Sequence, residues 1–185
     1  MNSQIIKDSR LAEEYLRVEH PSGLTMLLYP MKGFSTAYAM FSTKYGSIDT
    51  CFQRGEDADF VKVPEGIAHY LEHKMFESEE GDAFEKYAQT GASANAFTSF
   101  DKTCYLFACT DRFQESLEIL LDCVTHPYFT KETVEKEQGI IGQEIRMYED
   151  DPGWRVMFNL LQSLYQNNSV KVDIAGSIES IAQID

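Results

Sequence analysis

Pro64-Glu65-Gly66-Ile67-Ala68-His69-Tyr70-Leu71-Glu72-His73-Lys74-Met75 is the stretch whose reading decides the rest. Pro64-Glu65-Gly66 is a helix-opening signal and the residues after it have helical composition, so a helix is expected over 66–77. At about 100° per residue, His69 and His73 lie about 40° apart on one face, with Glu72 beside them. Two imidazoles one turn apart can chelate a single metal ion. Neutral histidine suits Zn2+, and a carboxylate beside an open coordination position can take a proton from water. The order H-x-x-E-H is the reverse of H-E-x-x-H, with the same parts on one helix. Ile67, Ala68, Leu71 and Met75 occupy the opposite arc, which is expected to meet the core and leave the histidine face to line a cleft.

A catalytic zinc site needs a third protein ligand. A helix expected from Thr130 to about Glu149 carries Glu132, Glu135, Glu137, Glu144 and Glu149. Its apolar stripe is Val134, Ile141, Ile145 and Tyr148, with Ile140 on the far side. Glu137 and Glu144, seven residues apart and so on one line, fall between Ile140 and that stripe, whereas Glu132, Glu135 and Glu149 point elsewhere. Carboxylates on a buried arc need a partner, and a metal ion with its outer hydrogen-bond partners is one. The alternative is a row of surface glutamates.

Around these two helices the chain is expected to fold as α+β, a mostly antiparallel mixed sheet with helices packed on one side. Residues 13–43 are mostly extended, a hairpin about the turn signal Pro21-Ser22-Gly23 plus a third strand over 37–43. Residues 47–63 carry charges without periodicity and are expected to form a loop. A short helix over 83–89, ended by Gly91, precedes strands over 93–100 and 103–110 joined at Asp101-Lys102. Another helix presents Phe113, Leu117, Leu120, Leu121 and Val124 on one face and stops at His126-Pro127. The last long helix begins after Asp151-Pro152 and carries Val156, Leu160, Leu161 and Leu164. Glu77 to Glu80 and Asp82 are expected to form a solvated acidic loop, and Glu149-Asp150-Asp151 a helix end followed by an N-cap. Residues 178–185 resemble the opening of a further helix, which suggests a chain cut short.

The 185 residues are 43% hydrophobic with 12 Phe and 10 Tyr, enough for a single compact domain with a real core. Sixteen Lys+Arg against 30 Asp+Glu leave a net charge of −14, which argues against nucleic acid or an anionic membrane as partner. No stretch approaches the roughly 18 apolar residues of a membrane span, and residues 1–15 lack the apolar centre of a signal peptide, so a cytoplasmic protein is expected. Cys51, Cys104, Cys109 and Cys123 form no C-x-x-C pair and are read as reduced packing residues. Cys104 and Cys109 lie an odd number of residues apart on a strand and face opposite sides.

The pair H69-Y-L-E-H73 and E137-QGIIGQ-E144 resembles the inverzincin metallopeptidases of the pitrilysin, insulinase and mitochondrial processing peptidase type, over nearly the whole chain. The resemblance implies that His69, His73 and Glu144 bind zinc, that Glu72 is the general base and that Glu137 supports the site. The stretch 91–105 resembles that family's substrate-facing edge strand, with Asn95, Ala96 and Phe97 placed against substrate. An extended peptide can add to such an edge by main-chain hydrogen bonds, largely indifferent to sequence. The implied protein is a zinc endopeptidase acting on extended or unstructured peptides. Residues 1–185 would be a single N-terminal metallopeptidase domain, truncated at its C-terminal end, with a second homologous domain or partner subunit supplying further groups. Two rivals are a non-catalytic zinc-binding or peptide-binding scaffold subunit and a zinc hydrolase acting on something other than peptides.

Overall fold

The computed structural model describes residues 2–55 and 59–185. Positions 56–58 of the loop expected over 47–63 lie outside the described residues. The chain forms two compact units, Met1–Ser35 and Thr36–Asp185.

The first unit separates because its strands satisfy one another's backbone groups. Strands β1 (Asn2–Asp8), β2 (Glu13–Glu19) and β3 (Thr25–Leu28) make an antiparallel sheet in the order β1-β2-β3. Ile5, Leu16 and Leu28 lie in register across it, as do Val18 and Met26, so one face is apolar. The turn falls where Pro21-Ser22-Gly23 predicts it, with His20 N–H donating to Leu24 O and Gly23 at φ +90°. β1 is an additional strand that the extended run from Glu13 did not announce, and residues 37–43 do not join this sheet.

The second unit continues with β4 (Ala37–Thr43), a short pair β5 (Cys51–Phe52) and β6 (Val61–Lys62), and α1 (Ile67–Lys74). A second short pair, β7 (Glu77–Ser78) and β8 (Gly81–Asp82), leads to α2 (Ala83–Thr90) and the hairpin β9 (Ser93–Thr98) and β10 (Thr103–Cys109). Then come α3 (Phe113–Thr125), α4 (Lys131–Asp150), α5 (Pro152–Leu164) and the single turn α6 (Ile178–Ile181). The main sheet is antiparallel in the order β4-β10-β9, which leaves β9 as an edge. Tyr105, Phe107 and Cys109 on one face of β10 pack with Phe76, Ala83, Tyr87 and Leu120 from the helical side. A second cluster, Tyr70, Ile141, Ile145, Ala175, Ile181 and Ile184, joins α1 to α4 and α6. Each large apolar side chain so buried contributes about 1.5–3 kcal/mol.

Two glycines hold the start of α1 in place. Gly66 caps the helix at φ +87°, and a Cβ there would lie 2.4 Å from Ala175 O. Gly176, at φ +75°, faces Glu65 O in the same way, at 2.6 Å. Backbone crosses backbone here, and only glycine permits both the left-handed conformation and the approach. Ser180 Oγ also donates to Glu65 O at 2.8 Å, so residues 173–180 are fastened to the base of the histidine helix.

Several expectations are corrected. The helix expected over 66–77 ends at Lys74, and the loop 47–63 carries the β5-β6 pair. The acidic stretch is not wholly solvated: Glu77 pairs with the buried Lys74, and Asp82 caps α2 by accepting from Phe84 N–H at 2.8 Å. On α1 the buried residues are Ala68, His69, Tyr70 and Lys74, because the helix lies between the β9-β10 hairpin and α4 and has little free face. On α3, Phe113 and Leu121 are exposed while Ser116 and Leu120 are buried. On α5, Val156, Leu160 and Leu164 are exposed, and Phe158 is buried against Trp154 and Phe100. Among the described residues no helix is long and apolar enough to cross a membrane.

Candidate metal centre

Helix α1 brings His69 and His73 to one side, and α4 lies across it because Tyr70 Oη donates to Val134 O while Ile141 and Ile145 pack beneath. Glu137 and Glu144 therefore face the histidines, and Ile140 stands on the exposed side, as the angular reading of α4 requires. Glu132, Glu135 and Glu149 are exposed. His69 Nε2 lies 3.6 Å from Glu144 Oε1 and His73 Nε2 3.3 Å from Glu144 Oε2. Donor atoms of His69, His73 and Glu144 all fall within 4.8 Å of one another, the one such group among the described residues.

The side chains of this trio are electrostatically coupled. Burial works against charging His73, yet hydrogen bonds and charge from Glu137 and Glu144 outweigh it and lift the imidazole to about 10. Hydrogen bonds from His69 and His73 hold the Glu144 carboxyl well below the usual carboxylate range, against the opposing effect of burial. Two imidazole nitrogens and one carboxylate form a donor set suited to zinc, with room for a fourth ligand. The residues present fit that ion.

Glu137 is buried, and its Oε1 lies 2.9 Å from His73 Nδ1. With Nδ1–H donated to Glu137, the Nε2 lone pair of His73 points to the centre. His69 Nδ1 is buried with no hydrogen-bond partner among the described residues, so this ring is held by packing. Zinc affinity is therefore expected to fall about tenfold in Glu137→Gln, the low end of the usual 10–100-fold range, because the amide oxygen still accepts from Nδ1–H but carries no charge. Titration against a competing chelator measures it, and unchanged affinity would show that Glu137 does not act through His73.

Glu72 lies on the same mouth. Thr98 Oγ1, at the end of β9, donates to Glu72 Oε2 at 2.8 Å. A cleft of about 210 Å3 opens over His69, Glu72, His73 and Glu144 and is walled by Ala96, Phe97, Thr98, Tyr148, Trp154 and Ala175. Of the three strand residues singled out from sequence, Ala96 and Phe97 border the cleft; Phe97 is 41% exposed and so is not a core residue. Asn95 is exposed on β9 and does not line the cleft.

Backbone phase decides what the β9 edge offers. Ser99 N–H donates to Lys102 O, so alternation directs the main-chain groups of Asn95 and Phe97 to β10 and those of Ala94, Ala96 and Thr98 outward. The outward Ala96 N–H is taken by Asn95 Oδ1 at 2.9 Å. Sequence reasoning did not assign Thr98, Tyr148 or Trp154 to the site. The i, i+4 spacing of Glu144 and Tyr148 was the available signal for one of them.

A helix bearing H-x-x-E-H, crossed by a second helix that supplies a glutamate and flanked by an edge strand, defines a metallopeptidase-like half-domain. Residues 54–177 match the model of the insulinase family, peptidase family M16, and the chain belongs to that family. It is 50% identical over 179 residues to the uncharacterized zinc protease YmfH of Bacillus subtilis, a match covering 97% of this chain and 42% of that protein. An M16-like peptidase from Alicyclobacillus acidocaldarius superposes with a TM-score of 0.88 at 43% identity, over 92% of this chain and 40% of that one. An inactive M16 peptidase domain from Pseudomonas fluorescens shares the fold, with a TM-score of 0.70 at 15% identity over 100% of this chain and 41% of that one. The chain thus spans about 42% of the length of its relative YmfH.

Proposed function

We propose that these residues form the metal-binding half of a zinc endopeptidase that hydrolyses extended or unstructured peptides. The observation that carries the reading is the convergence of His69, His73 and Glu144 beside a carboxylate, Glu72, whose second oxygen is held by Thr98. His69, His73 and Glu144 would hold the ion. Zinc bound there would supply Lewis acidity, polarising the peptide carbonyl and easing deprotonation of water.

The chain's own groups do the remaining work. Thr98 fixes Glu72 Oε2, and Oε1, which has no hydrogen-bond partner among the described residues, takes a proton from the attacking water and delivers it to the leaving amine. Glu137 fixes the His73 ring. The outward N–H and C=O of Ala96 form the edge to which a peptide adds, once Asn95 Oδ1 gives up the Ala96 N–H; Phe97 borders the bound chain. A second homologous domain or partner subunit completes the enclosure that holds the substrate in place. The scaffold reading gains nothing from the site, since a subunit that only binds peptide has no use for an oriented Glu72.

Metal removal tests this. The full polypeptide carrying these residues should cleave a mixture of unstructured peptides, lose that activity on chelation and regain it with one equivalent of zinc. Cleavage indifferent to chelation would overturn the reading.

A further inference from the structure

Tyr148 stands one turn beyond Glu144 on α4, and its Oη donates to Glu144 Oε1 at 2.6 Å. The two carboxylate oxygens are thereby made different. Oε1 is engaged by the phenol and lies 3.6 Å from His69 Nε2, whereas Oε2 lies 3.3 Å from His73 Nε2. The phenol itself is fixed. Its ring lies on Trp154 with centroids 4.5 Å apart and planes 15° apart. Trp154 is tied at both ends, by Nε1–H to Asp173 Oδ2 at 2.5 Å and by its main-chain N–H to the capping Asp151 Oδ1 at 2.6 Å. A ring clamped in this way sets where the hydroxyl points.

We infer that Tyr148 is a positioning residue that holds Glu144 to ligation through one oxygen. With Oε1 committed to the phenol, Oε2 is the ligating atom, and the carboxylate does not swing round to chelate with both oxygens. That keeps a coordination position open at a centre whose three protein ligands would otherwise compete with water for it. The inference rests on the zinc reading proposed above.

The test is Tyr148→Phe in the full polypeptide, which keeps the ring and its stack on Trp154 and removes only the hydroxyl. With Co2+ in place of zinc, the visible absorption should weaken as a second carboxylate oxygen enters the coordination sphere, a change that loosened packing alone would not produce. An unchanged cobalt spectrum overturns the inference. So does a metal-free Tyr148→Phe protein that unfolds at a clearly lower temperature, which would make the role structural. If wild type and His73→Ala hold equal zinc, the zinc reading itself falls and this inference with it; if His73→Ala loses zinc and the cobalt spectrum of Tyr148→Phe matches wild type, only the role of Tyr148 is lost.

Discussion

Glu72→Gln in the full polypeptide should lower kcat about 10²–10⁴-fold while zinc content stays at the wild-type level. The amide preserves the shape of the side chain, and its oxygen can still accept the hydrogen bond from Thr98 Oγ1, so the α1 to β9 contact survives. What disappears is the group proposed to take the proton from water. Peptide hydrolysis and elemental analysis on one preparation separate the two roles. Retained turnover would remove Glu72 as the proton carrier. Loss of zinc would make it a ligand instead, which the position of its Oε2 against Thr98 argues against.

His73→Ala should abolish zinc retention, a loss well beyond the roughly 100-fold upper end expected for an outer partner. It should also destabilise the protein. Glu137 is buried and its Oε1 is hydrogen-bonded to His73 Nδ1, so the substitution takes the partner from a buried carboxylate, at a cost of about 3–5 kcal/mol. The contribution has a pH sign. His73 is raised above its ordinary value, so the stabilisation from its charged form in the metal-free protein is present below about pH 6.5 and is lost as the pH rises through about 10. Where His73→Ala folds poorly, Glu144→Gln decides the ligand assignment, because its amide keeps the contact with Tyr148 and removes the anionic donor. Equal zinc in wild type and in both variants would refute the ligand set.

The two predictions probe different parts of one arrangement. Glu72, His69 and His73 share α1, Thr98 stands on β9 and Glu144 on α4, so the approach of Glu144 to the histidines and the hold of Thr98 on Glu72 both depend on how α1 is seated between β9 and α4. The seating rests on Tyr70 bound to Val134 O and on the glycine crossing of Gly66 and Gly176, far from any reacting atom. Substitutions there are expected to alter hydrolysis through geometry, since misplacing a base by about 1 Å can cost on the order of 10²-fold in rate.

The local chemistry was legible in the amino-acid sequence because it depends on spacing along single helices. The separations from His69 to His73 and from Glu137 to Glu144 are fixed by helical geometry, whatever the surroundings. The caps at Thr130 and Asp151 and the left-handed end at Gly91 were legible for the same reason, each being a short-range interaction of a few residues. Which glutamate oxygen meets which imidazole was not, because that depends on how two helices 64 or more residues apart cross. Burial on α1 and α5 is set by tertiary contacts in the same way. Periodicity identifies an apolar stripe, but the protein buried Tyr70 and Lys74 and left Val156, Leu160 and Leu164 exposed. The partition of residues 1–35 from the rest, the edge position of β9 and the capture of Ala96 N–H by Asn95 were likewise decided by strand pairing. Sequence alone settles what a helix turn can bring together; only tertiary packing settles which faces meet, since long-range contacts are chosen by the shapes that fill the core.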